Sequence, residues 1–154
     1  MKECVIRFAQ LTDYEQVENI MKQVQALHVD WRPDIYKPCD TVLPHEVFSQ
    51  MVSAETMLVA VTQEQVVGLL AFIHKHVQSI AQVTRDVLFI DSMAVDEAYR
   101  GQGIGHQLFA FIKELAKEKN FDGVELQVNA KNTAAYEMYK KCGFTKKSIN
   151  MELL

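Results

Sequence analysis

The stretch from Val87 to Gly105 constrains the fold more than any other part of the chain. Val87–Val95 is a nearly continuous apolar run, the pattern of a central strand covered on both faces. About eight residues after Val95 a helix begins inside Arg100-Gly101-Gln102-Gly103-Ile104-Gly105. Its apolar positions Ile104, Leu108, Phe111, Ile112 and Leu115 recur at helical spacing, and Lys117, Lys119 and Asn120 close it. Val124–Val128 then reads as another strand. Asn132–Cys142 reads as a helix that stops at Gly143, a natural residue for the position after a helix.

The rest of the chain fits around this unit. Residues 3–9 predict a first strand. Thr12 or Asp13 caps a helix carrying Val17, Ile20, Met21, Val24 and Leu27. From Asp30 to Pro44 the periodicity fails, with Pro33, Pro38 and Pro44 as breakers, which predicts a long loop holding Trp31, Arg32 and Tyr36. A short helix follows near 45–53. Met57–Thr62 and Val66–His74 form a hairpin through Gln63-Glu64-Gln65. Residues 75–85 are polar and ambiguous, and one or two strands are expected after Gly143. This order implies a mixed sheet with helices on both faces, an α/β or α+β fold, in one domain over 1–154.

Composition excludes several function classes. Half the residues are hydrophobic (49%) and 23% are charged, the balance of a soluble globular domain. A net charge of −4 argues against a nucleic-acid binder. Neither a signal peptide nor a membrane span is expected. Cys4, Cys39 and Cys142 read as reduced thiols, so the expected location is the cytoplasm. His28, His45, His74, His76 and His106 have no metal-ligand spacing, so no metal is expected.

The glycine turn carries the chemistry. Free N–H groups and the dipole at a helix start favour an anion, and glycines let phosphate oxygens approach the backbone. A Walker A loop is excluded, because His106 follows Gly105 where Lys is needed. A dinucleotide fingerprint is excluded by spacing and position. A phosphate site and a plain strand-to-helix turn both remain open on local chemistry alone.

The wider pattern goes further. Val95-Asp96-Glu97-Ala98-Tyr99-Arg100-Gly101-Gln102-Gly103-Ile104-Gly105 resembles motif A of the GCN5-related N-acetyltransferase (GNAT) family. Asn132-Thr133-Ala134-Ala135-Tyr136-Glu137-Met138-Tyr139, with Cys142-Gly143-Phe144, resembles its motif B. The resemblance implies a mostly antiparallel mixed sheet, splayed at the central strand and flanked by helices. It also implies an acetyl-CoA-dependent N-acetyltransferase that moves an acetyl group directly to a primary amine in a ternary complex. Met93, Ala94 and Val95 would bind the pantetheine arm through backbone groups. Residues Arg100, Gly101, Gln102, Gly103, Ile104 and Gly105 would hold the pyrophosphate. Asn132 and Ala135 would face the pantetheine end, and Tyr139 would be the general acid.

Asp91 is the candidate base, since a carboxylate enclosed in an apolar strand gains basicity; a structural aspartate is the equal alternative. Lys140, Lys141, Lys146 and Lys147 are candidates for the 3′-phosphate, or simply a solvated basic edge. Acceptor choice is assigned to 30–44, the first helix and 75–85, with Asp34 or Asp40 available to attract an amine. A small-molecule or peptide amine is the expected acceptor. A non-catalytic acetyl-CoA sensor on the same fold is the rival reading, and a homodimer stays open.

Overall fold

The computed structural model describes residues 3–154. Five strands form one sheet in the order β1 (Val5–Phe8), β2 (Met57–Thr62), β3 (Gln65–Ser79), β4 (Gln82–Val95) and β5 (Gly123–Leu126). All neighbours are antiparallel except β4 and β5, which run parallel. Helices α1 (Tyr14–Trp31) and α2 (His45–Ala54) cover one face, while α3 (Ile104–Glu118) covers the other; α4 (Thr133–Lys141) packs beside α3.

Alternation along the strands divides the core. Leu58, Ala60, Leu70, Phe72, Leu88 and Ile90 pack toward α3 with Ile104, Leu108 and Ile112. Their neighbours Met57, Val59, Leu69 and Ala71 pack toward Val17, Ile20 and Phe48 of α1 and α2. Burial of each sheet face therefore requires helices on both, as the apolar run in β4 predicts.

The β2–β3 turn is set by Gln63 and Glu64, both at positive φ (49° and 63°), the twist that matches a two-residue hairpin. The ambiguous segment 75–85 proves to be the far half of a long β3–β4 hairpin. Side-chain contacts at its base tie the two strands: the Asp86 carboxylate meets His74 Nε2 at 2.7 Å and His76 Nδ1 at 2.8 Å. Two further expectations are corrected. Helix α1 continues through Asp30 and Trp31, so the proline-rich loop begins at Arg32. No strand forms after Gly143, because residues 145–154 have no backbone partner among the described residues.

Candidate functional site

The decisive feature is a change of partner along β4. The parallel ladder with β5 runs from Val87↔Gly123 to Ile90↔Leu126 and stops. Strand β4 continues five residues to Val95 with β3 alone on one side, so its other edge is open from Asp91 onward. At the same point the β3 register slips: Phe72 faces Ile90 and Ala71 faces Ser92, which leaves Asp91 as a bulge.

The bulge reverses the side-chain alternation. Leu88 and Ile90 face α3, yet beyond the bulge it is Met93 and Val95 that pack there, and Ala94 faces α1 and α2. This also corrects the reading of Asp91. The residue is exposed, not enclosed, so the burial on which its role as base rested is absent.

After Val95 the chain turns through a short 3-10 segment, Glu97–Tyr99, held at both ends. The Asp96 carboxylate accepts from the Ala98 N–H at 2.9 Å, and the Glu97 N–H donates to Gln23 of α1 at 3.0 Å. Arg100 Nε donates to the Val95 carbonyl at 3.1 Å, so this side chain braces the turn across its own base. Gly101 and Gly103 have φ of 78° and 81°, values that an L side chain adopts only with strain. A Cβ at either would meet no atom within 4 Å, so these glycines serve the turn and leave open space beside it.

Gly105 has a different reason. Its Cβ would stand 2.9 Å from Met138 Sδ and from Met93 Cε, so its lack of a side chain lets α3, α4 and β4 close together. Of the six residues in the turn, Gly105 is thus placed for packing, and Ile104 is buried in the core.

The start of α3 is left without a side-chain cap at Gly103, and no acidic residue lies in the first turn. The first amides of the helix therefore point outward with no acceptor on their own helix.

Helix α4 presents motif B. Asn132 caps the helix by accepting from the Ala135 N–H at 3.2 Å. The expected pair thus bond to each other through the Asn132 carbonyl oxygen, which leaves only the Asn132 NH₂ to donate elsewhere. The Tyr139 ring sits edge-on to Phe109 at 5.5 Å and to Phe144 at 6.0 Å. Burial raises its phenol above the ordinary value, helped by Cys142. Cys142 lies on the same side, its Sγ 3.2 Å from His106 Nδ1, and burial raises its thiol as well. Tyr136 lies between two ammonium groups, Lys140 at 5.3 Å and Lys146 at 5.7 Å. Lys140 also reaches Glu137 at 3.7 Å, and Lys147 meets Glu125 at 2.8 Å. Two of the four lysines expected at a phosphate are therefore engaged with carboxylates.

The loop 32–44 is tied to α1 by residues that sequence reasoning missed. Glu18, 7% exposed, accepts from the Val42 and Leu43 amides at 3.0–3.2 Å. The Tyr14 hydroxyl donates to the Leu43 carbonyl at 2.8 Å, and Gln25 Nε2 to the Lys37 carbonyl at 2.8 Å. A carboxylate at position 18, flanked by Val17, Ile20 and Met21, was the available signal. Asp34 is not free to attract an amine: two hydrogen bonds from Arg32, at 2.9 and 2.7 Å, hold its carboxyl well below the usual range. Asp40 is exposed.

A cavity of about 400 Å³ lies at the outer corner of β1 and β2 between Val5, Val61 and Gln63, away from these features. A smaller hollow of about 220 Å³ borders the glycine turn, between Gln23, Leu27 and Asp30 of α1 and Glu97 and Arg100. Its position beside the glycine turn outweighs its size. Among the described residues no group of three or more His, Cys, Asp or Glu could hold a metal.

Residues 21–144 match the Acetyltransferase (GNAT) family. The chain belongs to that family. This GNAT domain superposes on a mutant of the BH1408 protein from Bacillus halodurans with TM-score 0.90 and 30% identity, over 97% of this chain and 98% of that one. It shares its fold with the aminoglycoside N-acetyltransferase AAC(6')-Iy, solved in complex with CoA, at TM-score 0.76 and 15% identity over 100% and 95% of the two chains. Among curated relatives it is 33% identical over 66 residues to streptothricin acetyltransferase of Escherichia coli, covering 43% of this chain and 38% of that protein. It is 31% identical over 71 residues to the ribosomal protein bS18-alanine N-acetyltransferase of Escherichia coli K12, covering 46% and 48%. The matches to these two relatives span less than half of their lengths.

Proposed function

We propose that this GNAT domain transfers the acetyl group of acetyl-CoA to a primary amine, directly and in a ternary complex. The observation that carries the reading is the open edge of β4 from Asp91 to Val95, which leads into a helix start with unsatisfied amides. A linear amide-bearing arm adds to such an edge as a further strand would, and a pyrophosphate suits the amides that follow.

Bound acetyl-CoA supplies an acetyl group activated as a thioester. The chain's own groups do the rest. Backbone N–H and C=O of Met93, Ala94 and Val95 align the arm. Amides of Gly101 through Gly105 hold the pyrophosphate, with the unused guanidinium nitrogens of Arg100 nearby. A backbone N–H on the open edge stabilises charge on the thioester oxygen as the C–N bond forms. The Tyr139 phenol protonates the sulfur as the C–S bond breaks. The ammonium proton leaves to solvent, because Asp91 is exposed at the bulge and lacks the burial that would make it a base. The acceptor lies toward α1 and the loop 32–44, and its class is a small-molecule or peptide amine.

Thermal unfolding with added ligands tests the donor. Acetyl-CoA is expected to raise Tm by mass action on the folded state, whereas ATP and NAD leave it unchanged. Gly103→Val is expected to abolish the shift, because it fills the open space beside the turn. Stabilisation by ATP or NAD with none by acetyl-CoA overturns the reading. A panel of amines assayed for free thiol then tests turnover; tight acetyl-CoA binding with no amine consumed points to a sensor.

A further inference from the structure

With Asp91 exposed, the acceptor's proton has no enclosed carboxylate to take it, and α1 offers another base. This helix crosses one end of the sheet strand by strand. Gln16 Oε1 accepts from the Val66 N–H at the start of β3 at 2.7 Å, and Gln23 Oε1 from the Glu97 N–H just past β4 at 3.0 Å. The Trp31 carbonyl accepts from Lys131 Nζ, beyond the end of β5, at 2.9 Å. The last two turns of α1 therefore span the gap that opens where β5 stops at Leu126 and β4 runs on to Val95.

The inward stripe of α1 changes character as it reaches this gap. Val17, Ile20, Met21 and Val24 pack onto the sheet. At ~100° per residue the same stripe continues through His28 and Trp31. An imidazole and an indole thus stand where the sheet beneath has only the open edge of β4. The loop completes the group. The Tyr36 N–H donates to the Arg32 carbonyl at 2.9 Å, and the Tyr36 ring lies 4.7 Å from His28, with Trp31 at 6.0 Å from the same imidazole.

His28 differs from the other four histidines. His45 meets Ser49 Oγ, His74 and His76 share the Asp86 carboxylate, and His106 meets Cys142 Sγ. Among the described residues neither ring nitrogen of His28 has a hydrogen-bond partner, and no side-chain nitrogen that lacks one is fully buried. The ring is therefore walled by aromatic faces and open at its nitrogens. Burial lowers its imidazole below the ordinary value of 6.5, which favours the neutral form. The ionisable groups on the surrounding elements are Arg32, Asp34 and Tyr36, Lys131 after β5, Asp91 on the open edge and Glu152. Arg32 is engaged by Asp34 and Glu152, and Lys131 by the Trp31 carbonyl.

We propose that His28 is the base for the acceptor: an unprotonated ring nitrogen takes one proton from the bound ammonium and hands it to water. This role rests on the acetyl-transfer reading above. The ammonium becomes a neutral amine, whose lone pair attacks the thioester carbon. The C–N bond forms and the C–S bond breaks, and the second proton leaving the nitrogen replaces the one that Tyr139 gives to sulfur. The imidazolium returns to its neutral form by releasing the first proton to solvent. The faces of Trp31 and Tyr36 attract the ammonium as it arrives.

The test follows turnover against pH with whichever amine of the panel is consumed fastest, at saturating acetyl-CoA. In the wild type, kcat/KM for the amine is expected to fall at low pH with the midpoint that the His28 ring C–H shows in an NMR titration of the free chain. His28→Gln is expected to move that midpoint to the ionisation of the amine itself. It is also expected to lower kcat/KM at neutral pH by roughly 10²-fold or more, while the Kd for acetyl-CoA by calorimetry stays the same. A wild-type midpoint different from that of the His28 ring overturns the proposal, whether or not the variant folds. So does an equal loss at every pH, or a variant within a few-fold of the wild type at neutral pH. A wild type that binds acetyl-CoA and consumes no amine overturns the acetyl-transfer reading as well.

Discussion

Tyr139 shows how one residue's surroundings prepare it for a task. Phe109 and Phe144 hold the ring edge-on, and burial raises its phenol above the ordinary value. A thioester sulfur is a weak hydrogen-bond acceptor and a departing thiolate a strong one, so the role proposed for the hydroxyl is confined to the transition state. Tyr139→Phe keeps the ring and its packing. It is expected to lower kcat by roughly 10²–10⁴-fold, with KM for acetyl-CoA little changed, in steady-state assays against Tyr136→Phe as control. Turnover within a few-fold of the wild type removes Tyr139 from the mechanism. What the sequence showed of Tyr139 is its place on the helix that Asn132 caps. Asp91 was misread for a physical reason: alternation assumes an unbroken strand, and a bulge moves a residue out of its assigned layer. No pattern of apolar residues reports a bulge directly.

At the scale of elements, β2, α3 and the paired length of β4 follow from periodicity, because each buries a continuous face. The far half of the β3–β4 hairpin did not, since its strand identity comes from cross-strand partners such as His76 and Asp86 instead of burial. The loop 32–44 was legible as a loop, whereas its anchors were not. Glu18 holds two of its amides, so Glu18→Ala leaves them without that acceptor and costs roughly 1–3 kcal/mol of stability. KM for the amine is expected to rise while the Kd for acetyl-CoA, measured by calorimetry, stays the same. A rise in both places Glu18 in general folding and not in positioning this loop.

For the whole molecule, acid stability depends on Asp13, which links β1 to the start of α1. Burial alone would raise its carboxyl; two hydrogen bonds from Arg7, at 2.8 and 3.0 Å, and one from the Gln10 N–H outweigh it and hold the group below its ordinary value of 3.8. A lowered folded-state value contributes stability above the unfolded value and loses it as pH falls through the folded one. Tm is therefore expected to be level above about pH 5 and to fall below about pH 4, with a shallower fall in Asp13→Asn. An equal fall in the variant assigns the acid sensitivity to partly buried carboxylates such as Asp86 and Glu125, which their partners also lower.

The open edge of β4 has a consequence for how such a chain can drift. What it offers a ligand is peptide groups, and every residue except proline carries the same pair. Side chains at 93 to 95 are thus free to follow the demands of the core beneath them. Only two substitutions are barred outright: a proline, which deletes a donor, and any change that heals the bulge at Asp91 and so exchanges the two faces. A site written in the main chain places few spelling rules on its sequence. That suits a fold shared at TM-score 0.76 with a protein only 15% identical.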